Sequence, residues 1–444
     1  MTQANAVWSP ATILSRTLGV RRDEYAAVAW SFTYFFCLLA AYYMLRSVRE
    51  TMAIVSGVQT IPFLFTGTFT VTLLATPVFG WIASRFPRKV FLPWVYYFFV
   101  ANIAIFYGAF VYAQANELSQ VWIARAFFVW ISVFNLFVVS VFWSFMADIY
   151  TREQSRRLFG LISAGGSTGA ILGPWFTSLV VVPIGFQNLL PLSAILLFVA
   201  VYCVHRLRRW MSDHETGERK EAVESDKPIG GNALDGIRFV FTSPLFGAIA
   251  GALLLTNFLG GAIYFYMAAV VEQTFPDTDV QTQVFARLDA ITSLLSFVGQ
   301  FLVVRLSVRK LGVGRTLMVV PLISVIGFTM LAISPVFAVL AALQVLRRSI
   351  GFGLTKPTTD MLYAAVTPDE RYKAKNFIET AVYRASDVVT AWSVRYLGSA
   401  VGIVGVAMFC VPLAALGVGL AYWIGRQYQK RDAERDTAMS ALPT

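Results

Sequence analysis

The stretch VWIARAFFVWISVFNLFVVSVFWSF, residues 121–145, decides the fold of this chain. It contains one charged residue, Arg125, in a run long enough to cross the roughly 30 Å of a bilayer's hydrocarbon core as an α-helix. In lipid only helices and closed barrels satisfy all backbone groups, and the run is too long for one barrel strand. The stretch is therefore predicted to be a membrane-spanning helix.

Stretches of the same kind recur along all 444 residues. Hydrophobic residues make up 57% of the chain and charged residues 14%, well below the roughly 25% of a soluble domain. We predict an all-α membrane protein with about twelve transmembrane helices. The predicted spans are 26–45, 61–84, 90–112, 121–145, 158–183, 189–204, 245–271, 284–304, 317–334, 336–354, 377–396 and 401–424.

Basic residues alternate between the predicted loops and so indicate the orientation in the membrane. They cluster before the first span and after the second, fourth, eighth and twelfth, whereas the loops near Gly185 and Pro335 carry none. By the positive-inside rule both termini are predicted to be cytoplasmic, and we expect a multi-pass protein of a bacterial inner membrane. Because topology explains the net charge of +11, nucleic acid is not expected as a partner.

An internal repeat indicates two related halves. Residues 42–50 have an echo at 264–272, and residues 85–89 have one at 305–310, at offsets of 222 and 220 positions. Since each half has six predicted spans, both begin on the same side, which is the parallel arrangement of major facilitator transporters. The predicted organisation is an N-terminal half over 1–204, a cytoplasmic linker over 205–243, a C-terminal half over 244–426 and a cytoplasmic tail over 427–444.

The loop after the second span, GWIASRFPRK at 80–89, resembles the major facilitator loop motif Gly-x-Leu-Ala-Asp-Arg-x-Gly-Arg-Lys. Ser84 stands in place of the acid and Pro87 in place of the second glycine. The resemblance implies a gating role for Arg85, while a plain topology signal explains the basic residues equally well. No P-loop or metal-ligand spacing occurs, so we expect no cofactor, no metal and no enzymatic activity.

Charges at membrane depth are the most informative residues, because each costs several kcal/mol unless it faces a cavity or a partner. Nine cations against five anions lie inside or next to the predicted spans, which predicts a small anionic substrate. The cations are Arg46, Arg49, Arg125, Arg287, Arg347, Arg348, Lys356, Arg384 and Arg395, and the anions are Glu50, Asp289, Asp360, Glu379 and Asp387.

Arg347 and Arg348 lie near the middle of the tenth span, where their guanidinium forks suit phosphate or carboxylate. The alternative is structural pairing with Asp360 or Glu379. Arg384 and Asp387 are three residues apart on one helix face, so they can neutralise each other.

Three stretches together resemble the ATP/ADP translocases of plastids and intracellular bacteria. They are RYKAKNFIE at 371–379 followed by Tyr383-Arg384, YYMLRSVRE at 42–50, and LRR at 346–348 with Lys356-Pro357. The resemblance implies a twelve-helix carrier that exchanges ATP for ADP, with charged residues at the matching positions binding substrate. Those positions are Arg46, Arg49, Glu50, Arg347, Arg348, Lys356, Lys373, Lys375, Glu379 and Arg384. Ser386-Asp387 departs from the family's Gly-Lys pair.

The sequence thus predicts a monomeric secondary carrier that moves an anionic, phosphorylated solute by alternating access, with nucleotide exchange as the leading hypothesis. Arg85, Asp289 and Asp387 are assigned to coupling or gating. Two alternatives stay open. One is a proton-coupled carrier for another organic anion or amphiphile, and the other is a membrane sensor that binds a solute without transporting it.

Overall fold

A computed structural model of the protein describes residues 20–85, 88–213, 240, 242–363, 374–375 and 377–440. Helices provide the regular structure of this part of the chain, which contains no β-strand. Within it, ten helices are long and apolar enough to cross a membrane, and Val319–Ile333 is a shorter apolar helix. The predicted all-α membrane fold is confirmed.

The helices follow one another in the order that the apolar segments predict. The first six are α1 (Tyr25–Val55), α2 (Ile61–Arg85), α3 (Arg88–Ala115), α4 (Val121–Ile149), α5 (Arg152–Ile184) and α6 (Leu189–Asp213). The others are α7 (Pro244–Thr274), α8 (Thr278–Leu317), α9 (Val319–Ile333), α10 (Phe337–Leu362) and α11 (Tyr383–Ser440). All twelve predicted spans overlap these helices.

Two glycines divide helical segments that otherwise run together. Gly402 has a φ of 67° and separates α11 into two arms, which correspond to the predicted spans 377–396 and 401–424. Gly312 has a φ of 77° near the end of α8. Glycine adopts this left-handed backbone without the steric penalty that a side chain brings. The last two predicted spans are therefore the two arms of α11 on either side of the kink at Gly402.

Helices α1 and α6 extend beyond their predicted ends. α1 continues past residue 45 to Val55, so Arg46, Arg49 and Glu50 lie inside the helix rather than at its end. α6 continues past residue 204 to Asp213, into the predicted linker, most of which lies outside the described residues. A prediction from hydropathy ends a span at the first charged residues, whereas the backbone hydrogen bonds of a helix continue through such residues.

The helices form two compact units. The first contains α1, α3 to α6, α2 from Thr70 onward and α8 up to Ala290. The second contains α2 up to Phe69, α7, α8 from Ile291 onward and α9 to α11. Helices α2 and α8 therefore each contribute to both units. The boundaries of the sequence halves at 204 and 244 stay a prediction.

In the first unit α5 packs directly against the backbone of α1. A Cβ added to Gly165 or Gly169 of α5 would lie 2.4 Å from the carbonyl oxygen of Phe32 or Phe36, respectively. Only a residue without a side chain fits at such a distance. The four-residue spacing of these glycines thus creates a helix face on which α1 lies in close contact.

A buried ion pair holds the beginning of α1 against the beginning of α5. Glu24, in the 3₁₀ turn Arg22–Glu24, is fully buried and accepts hydrogen bonds of 2.8 and 3.0 Å from Arg157 of α5. The same carboxylate accepts a bond of 3.0 Å from Gln154 and one of 2.9 Å from the backbone N–H of Arg21. Four bonds satisfy the carboxylate, which explains how a charge is accommodated there.

We expect Glu24→Gln to destabilise the protein by roughly 2–4 kcal/mol, because Arg157 loses its hydrogen-bonded and fully buried partner. Glu153→Gln is the matched control. Glu153 pairs with Arg21 at 2.9 Å and lies 4.0 Å from Nε of Arg157, but its side chain is 70% exposed, and such pairs contribute about 0–1 kcal/mol. Thermal unfolding in detergent measures both variants, and equal losses would contradict the role of the Glu24 ion pair.

Candidate functional site

The first group of candidate residues, the α1 cluster, joins Arg46, Arg49 and Glu50 of α1 to Asp289 of α8 within the first unit. Nε of Arg46 lies 3.6 Å from Oδ2 of Asp289 and 3.7 Å from Oε1 of Glu50. Nη2 of Arg49 lies 2.6 Å from the same oxygen of Glu50. The four side chains are at most 17% exposed. Two positive and two negative charges therefore balance each other in a buried setting.

Aromatic rings lie against both arginines of the α1 cluster. The guanidinium of Arg46 lies 5.5 Å from the ring centre of Tyr43, and that of Arg49 lies 4.9 Å from the ring centre of Phe128. Oε2 of Glu50 is buried and accepts no hydrogen bond within the part of the chain that the structure describes.

The second group, the charge ring, joins Lys356 and Asp360 of α10 to Lys375 and Glu379, which precede α11 in the sequence. Nζ of Lys356 lies 2.5 Å from Oε1 of Glu379 and 3.5 Å from Oδ1 of Asp360. Nζ of Lys375 lies 2.8 Å from the same oxygen of Asp360 and 3.9 Å from Oε1 of Glu379. The side chains are 32–47% exposed. The ring is thus neutral, and both lysines are compensated by acids.

Lys373, which the resemblance also assigns to substrate binding, lies outside the described residues. The resemblance places Lys356, Lys375 and Glu379 on the substrate, whereas here they contact one another and Asp360. A substrate that bound these lysines would have to replace the acids.

π-Helical turns adjoin the charge ring. One of them, Gly351–Thr355, directly precedes Lys356 in α10, and another, Ile378–Val382, includes Glu379. A third, Gly299–Val303, lies in α8. Such turns are rare in proteins and are frequent at functional sites. The helices therefore depart from regular geometry next to the charges of the ring.

The third group, the Arg347 site, is in the second unit. Arg347 of α10 is 7% exposed, and its Nη2 donates a hydrogen bond to the carbonyl oxygen of Thr256 in α7. Gly260 makes room for the guanidinium, since a Cβ there would lie 2.7 Å from Nη1. Nε is buried and makes no hydrogen bond among the described residues. The guanidinium therefore retains a donor that no described residue uses.

The acids that the sequence presents as partners for Arg347 contact lysines instead. Asp360 and Glu379 both belong to the charge ring, where they pair with Lys356 and Lys375. The pairing alternative for Arg348 stays a prediction. Arg348, the next residue of α10, is half-buried.

Arg384 and Asp387 lie 4.0 Å apart in α11 and form the pair that their spacing indicates. All five acids counted from the sequence thus have a basic partner within 4.0 Å. Arg85 is exposed and lies over the ring of Trp81, 5.9 Å from its centre. Its gating role stays a prediction.

Sequence reasoning missed the residues of α7 that surround Arg347. The available signal was the Gly260-Gly261 pair within the seventh span, since adjacent small residues permit close helix contacts. A Cβ on Gly261 would lie 2.2 Å from Cγ2 of Thr390 in α11. Gly260 accommodates α10 and Gly261 accommodates α11, so this pair positions two candidate helices against α7.

Comparisons with known proteins agree with the helical architecture. Residues 25–372 match the family model described as Major Facilitator Superfamily. A bacterial homologue of the iron transporter ferroportin, solved in the inward-facing state, is 12% identical with a TM-score of 0.64, and the match covers 92% of this chain and 98% of that one. A POT family transporter in complex with a thioalcohol-conjugated peptide is 11% identical with a TM-score of 0.62, and the match covers 94% and 99%.

The nucleoside transporter NupG is also similar, with 14% identity, a TM-score of 0.56 and coverage of 91% of this chain and 98% of that one. At these identities the likeness concerns the fold alone. No curated protein matches the chain. Neither the family model nor these structures single out the ATP/ADP translocases.

We expect Glu50→Gln to destabilise the protein more than Glu379→Gln. Both variants remove one negative charge from a neutral group of four. The Glu50 side chain is 7% exposed, so loss of its charge leaves two buried arginines undercompensated, at roughly 2–4 kcal/mol. The Glu379 side chain is 32% exposed, and we expect about 1 kcal/mol or less. Thermal unfolding in detergent decides, and the opposite order would contradict this division between the groups.

Proposed function

The chain belongs to the Major Facilitator Superfamily and is a multi-pass membrane transporter, and from this premise we propose that its solute is anionic and phosphorylated. The solute moves by alternating access, in which the binding residues face one side of the membrane and then the other. The environment of Arg347 is the observation that carries this proposal.

A buried guanidinium calls for a countercharge, because hydrocarbon and protein interior solvate it poorly. The α1 cluster and the charge ring supply countercharges to their own cations. Arg347 has a backbone carbonyl as its partner and an Nε that makes no hydrogen bond among the described residues. The planar guanidinium fork binds two oxygens of a phosphate or carboxylate at once. An anionic solute provides the charge and the acceptors that this site calls for.

Nucleotide exchange is our specific hypothesis within this class. Its support is the resemblance of residues 42–50, 346–348 and 371–379 to the ATP/ADP translocases. In this hypothesis Arg347 and Arg348 bind the phosphate groups first. Lys356 and Lys375 then exchange Asp360 and Glu379 for phosphate oxygens, which their partial exposure favours because exposed ion pairs are weak.

The proposal also includes the membrane and the orientation. We propose a monomer in a bacterial inner membrane, with both termini in the cytoplasm because basic residues alternate between the loops. The charge ring then lies toward the cytoplasmic ends of its helices. Arg85 and Asp387 are assigned to gating or coupling within the same scheme.

Proton coupling is the second candidate function, and Glu50 favours it. Its Oε2 is buried without a hydrogen bond in the described part of the chain, and Asp289 belongs to the same cluster. A carboxylate that takes up a proton there would change the charge of the α1 cluster from neutral to positive. Such a carrier would couple uptake of an organic anion or amphiphile to protons rather than to a counter-substrate.

Uptake of radiolabelled ATP and ADP into proteoliposomes separates these functions. Nucleotide exchange predicts uptake that requires nucleotide inside the vesicles and does not respond to an imposed proton gradient. Gradient-driven uptake into vesicles without internal nucleotide would support the proton-coupled carrier. Binding without uptake in any arrangement would support a sensor, and it would contradict a transport function.

We expect Arg347→Ala and Arg348→Ala to weaken phosphate binding by roughly 10- to 100-fold while the protein stays folded, because each removes charged hydrogen-bond donors. Ligand-induced thermal stabilisation in detergent measures the loss. Arg125→Ala is the control, since Arg125 lies over the ring of Trp122 at 4.6 Å from its centre and has no assigned role in binding. Unchanged ligand-induced shifts in the Arg347 variant would contradict the site.

A further inference from the structure

Gln344 of α10 is a buried polar residue whose side-chain oxygen has no hydrogen-bond partner among the described residues. It is 9% exposed, and its Oε1 is buried and accepts no bond within the described ranges of the chain. A buried amide oxygen without a donor costs folding free energy, and folded proteins satisfy the great majority of such groups. A leucine of similar size would avoid this cost. The presence of glutamine therefore calls for an explanation outside packing.

Gln344 and Arg347 share one face of α10. They are three residues apart, a spacing that places side chains next to each other on a helix. Gln344 has an acceptor without a donor, and Nε of Arg347 is a donor without an acceptor. The two groups do not satisfy each other. A ligand that bound beside both would have to bring an acceptor to Arg347 and a donor to Gln344.

Two other polar residues of the same unit find partners inside the protein. The hydroxyl of Ser349, which is also buried in α10, donates to the carbonyl oxygen of Val345. Nδ2 of Asn257 in α7 donates to Oγ of Ser386 in α11 at 2.5 Å. These two side chains are satisfied inside the second unit, whereas Oε1 of Gln344, like the hydroxyl oxygen of Thr355 in α10, accepts no bond among the described residues.

We propose that Gln344 determines specificity by accepting a hydrogen bond from a hydroxyl or amino group of the solute whose anionic group Arg347 binds. The inference rests on the proposed function, because it takes Arg347 as the anion-binding residue. Side chains at this helical spacing start about 5–6 Å apart, so the solute carries its donor within a comparable reach of its charge. Hydroxylated and aminated organic phosphates, such as sugar phosphates and nucleotides, meet this description.

The first part of the test concerns the protein without ligand. Gln344→Leu replaces an unsatisfied amide by an apolar side chain of similar size, so its melting temperature should equal or exceed that of the wild type. If Gln344 instead stabilised the folded protein, the Gln344→Leu variant would have a lower melting temperature than the wild type. That result would overturn the proposal.

The second part measures binding of named phosphates to the purified protein in detergent at pH 8. Glucose 6-phosphate and ADP carry donors, whereas benzyl phosphate carries none because its second phosphate proton is lost near pH 6. The wild type should bind the donor-bearing phosphates roughly tenfold more tightly than benzyl phosphate, as expected for one hydrogen bond. Gln344→Leu should abolish this preference and retain binding of benzyl phosphate. Ser349→Ala is the matched control and should keep the wild-type preference.

The outcomes distinguish the two proposals. An unchanged preference in Gln344→Leu, with phosphate binding still lost in Arg347→Ala, would overturn the role of Gln344 and leave the proposed function intact. Failure of the wild type to bind any of the three phosphates would overturn both.

Discussion

Every ionised side chain in a membrane-spanning helix has to meet a countercharge, a polar partner or water, because hydrocarbon provides none of these. The arrangement of charges in this protein follows from that constraint. The α1 cluster contains two arginines and two acids in a buried setting, and the charge ring contains two lysines and two acids in a more exposed one. Each group is neutral by itself. The Arg347 site differs, because its guanidinium meets a backbone carbonyl.

This difference connects the structure to transport. Removing one partner of a buried ion pair strongly destabilises a protein, whereas half-exposed ion pairs contribute little to its stability. The charge ring makes the weaker pairs, and it adjoins π-helical turns, which are frequent at functional sites. An anion at Arg347 would complete the compensation that the protein leaves open, and Gln344 would add selectivity for the rest of the solute.

Sequence reasoning predicted the helical spans because hydrophobic length and basic loops are local properties of the chain. It placed the end of α1 before Arg46, since the charges end the apolar run, but the helix continues because Glu50 and Asp289 compensate the arginines. The partners of Lys356 and Lys375 depend on how α10 and the segment before α11 approach each other, which spacing alone does not reveal. Sequence reasoning did not identify Gln344, because only the structure shows that the residue is buried and that its oxygen accepts no hydrogen bond among the described residues.

The central claim is that an anionic solute binds the guanidinium of Arg347. An experimental structure of the protein with bound ADP tests it most directly. Our account predicts a phosphate oxygen within hydrogen-bond distance of Nε of Arg347. A structure in which Arg347 contacts a protein carboxylate, with ADP bound elsewhere or not at all, would contradict the account.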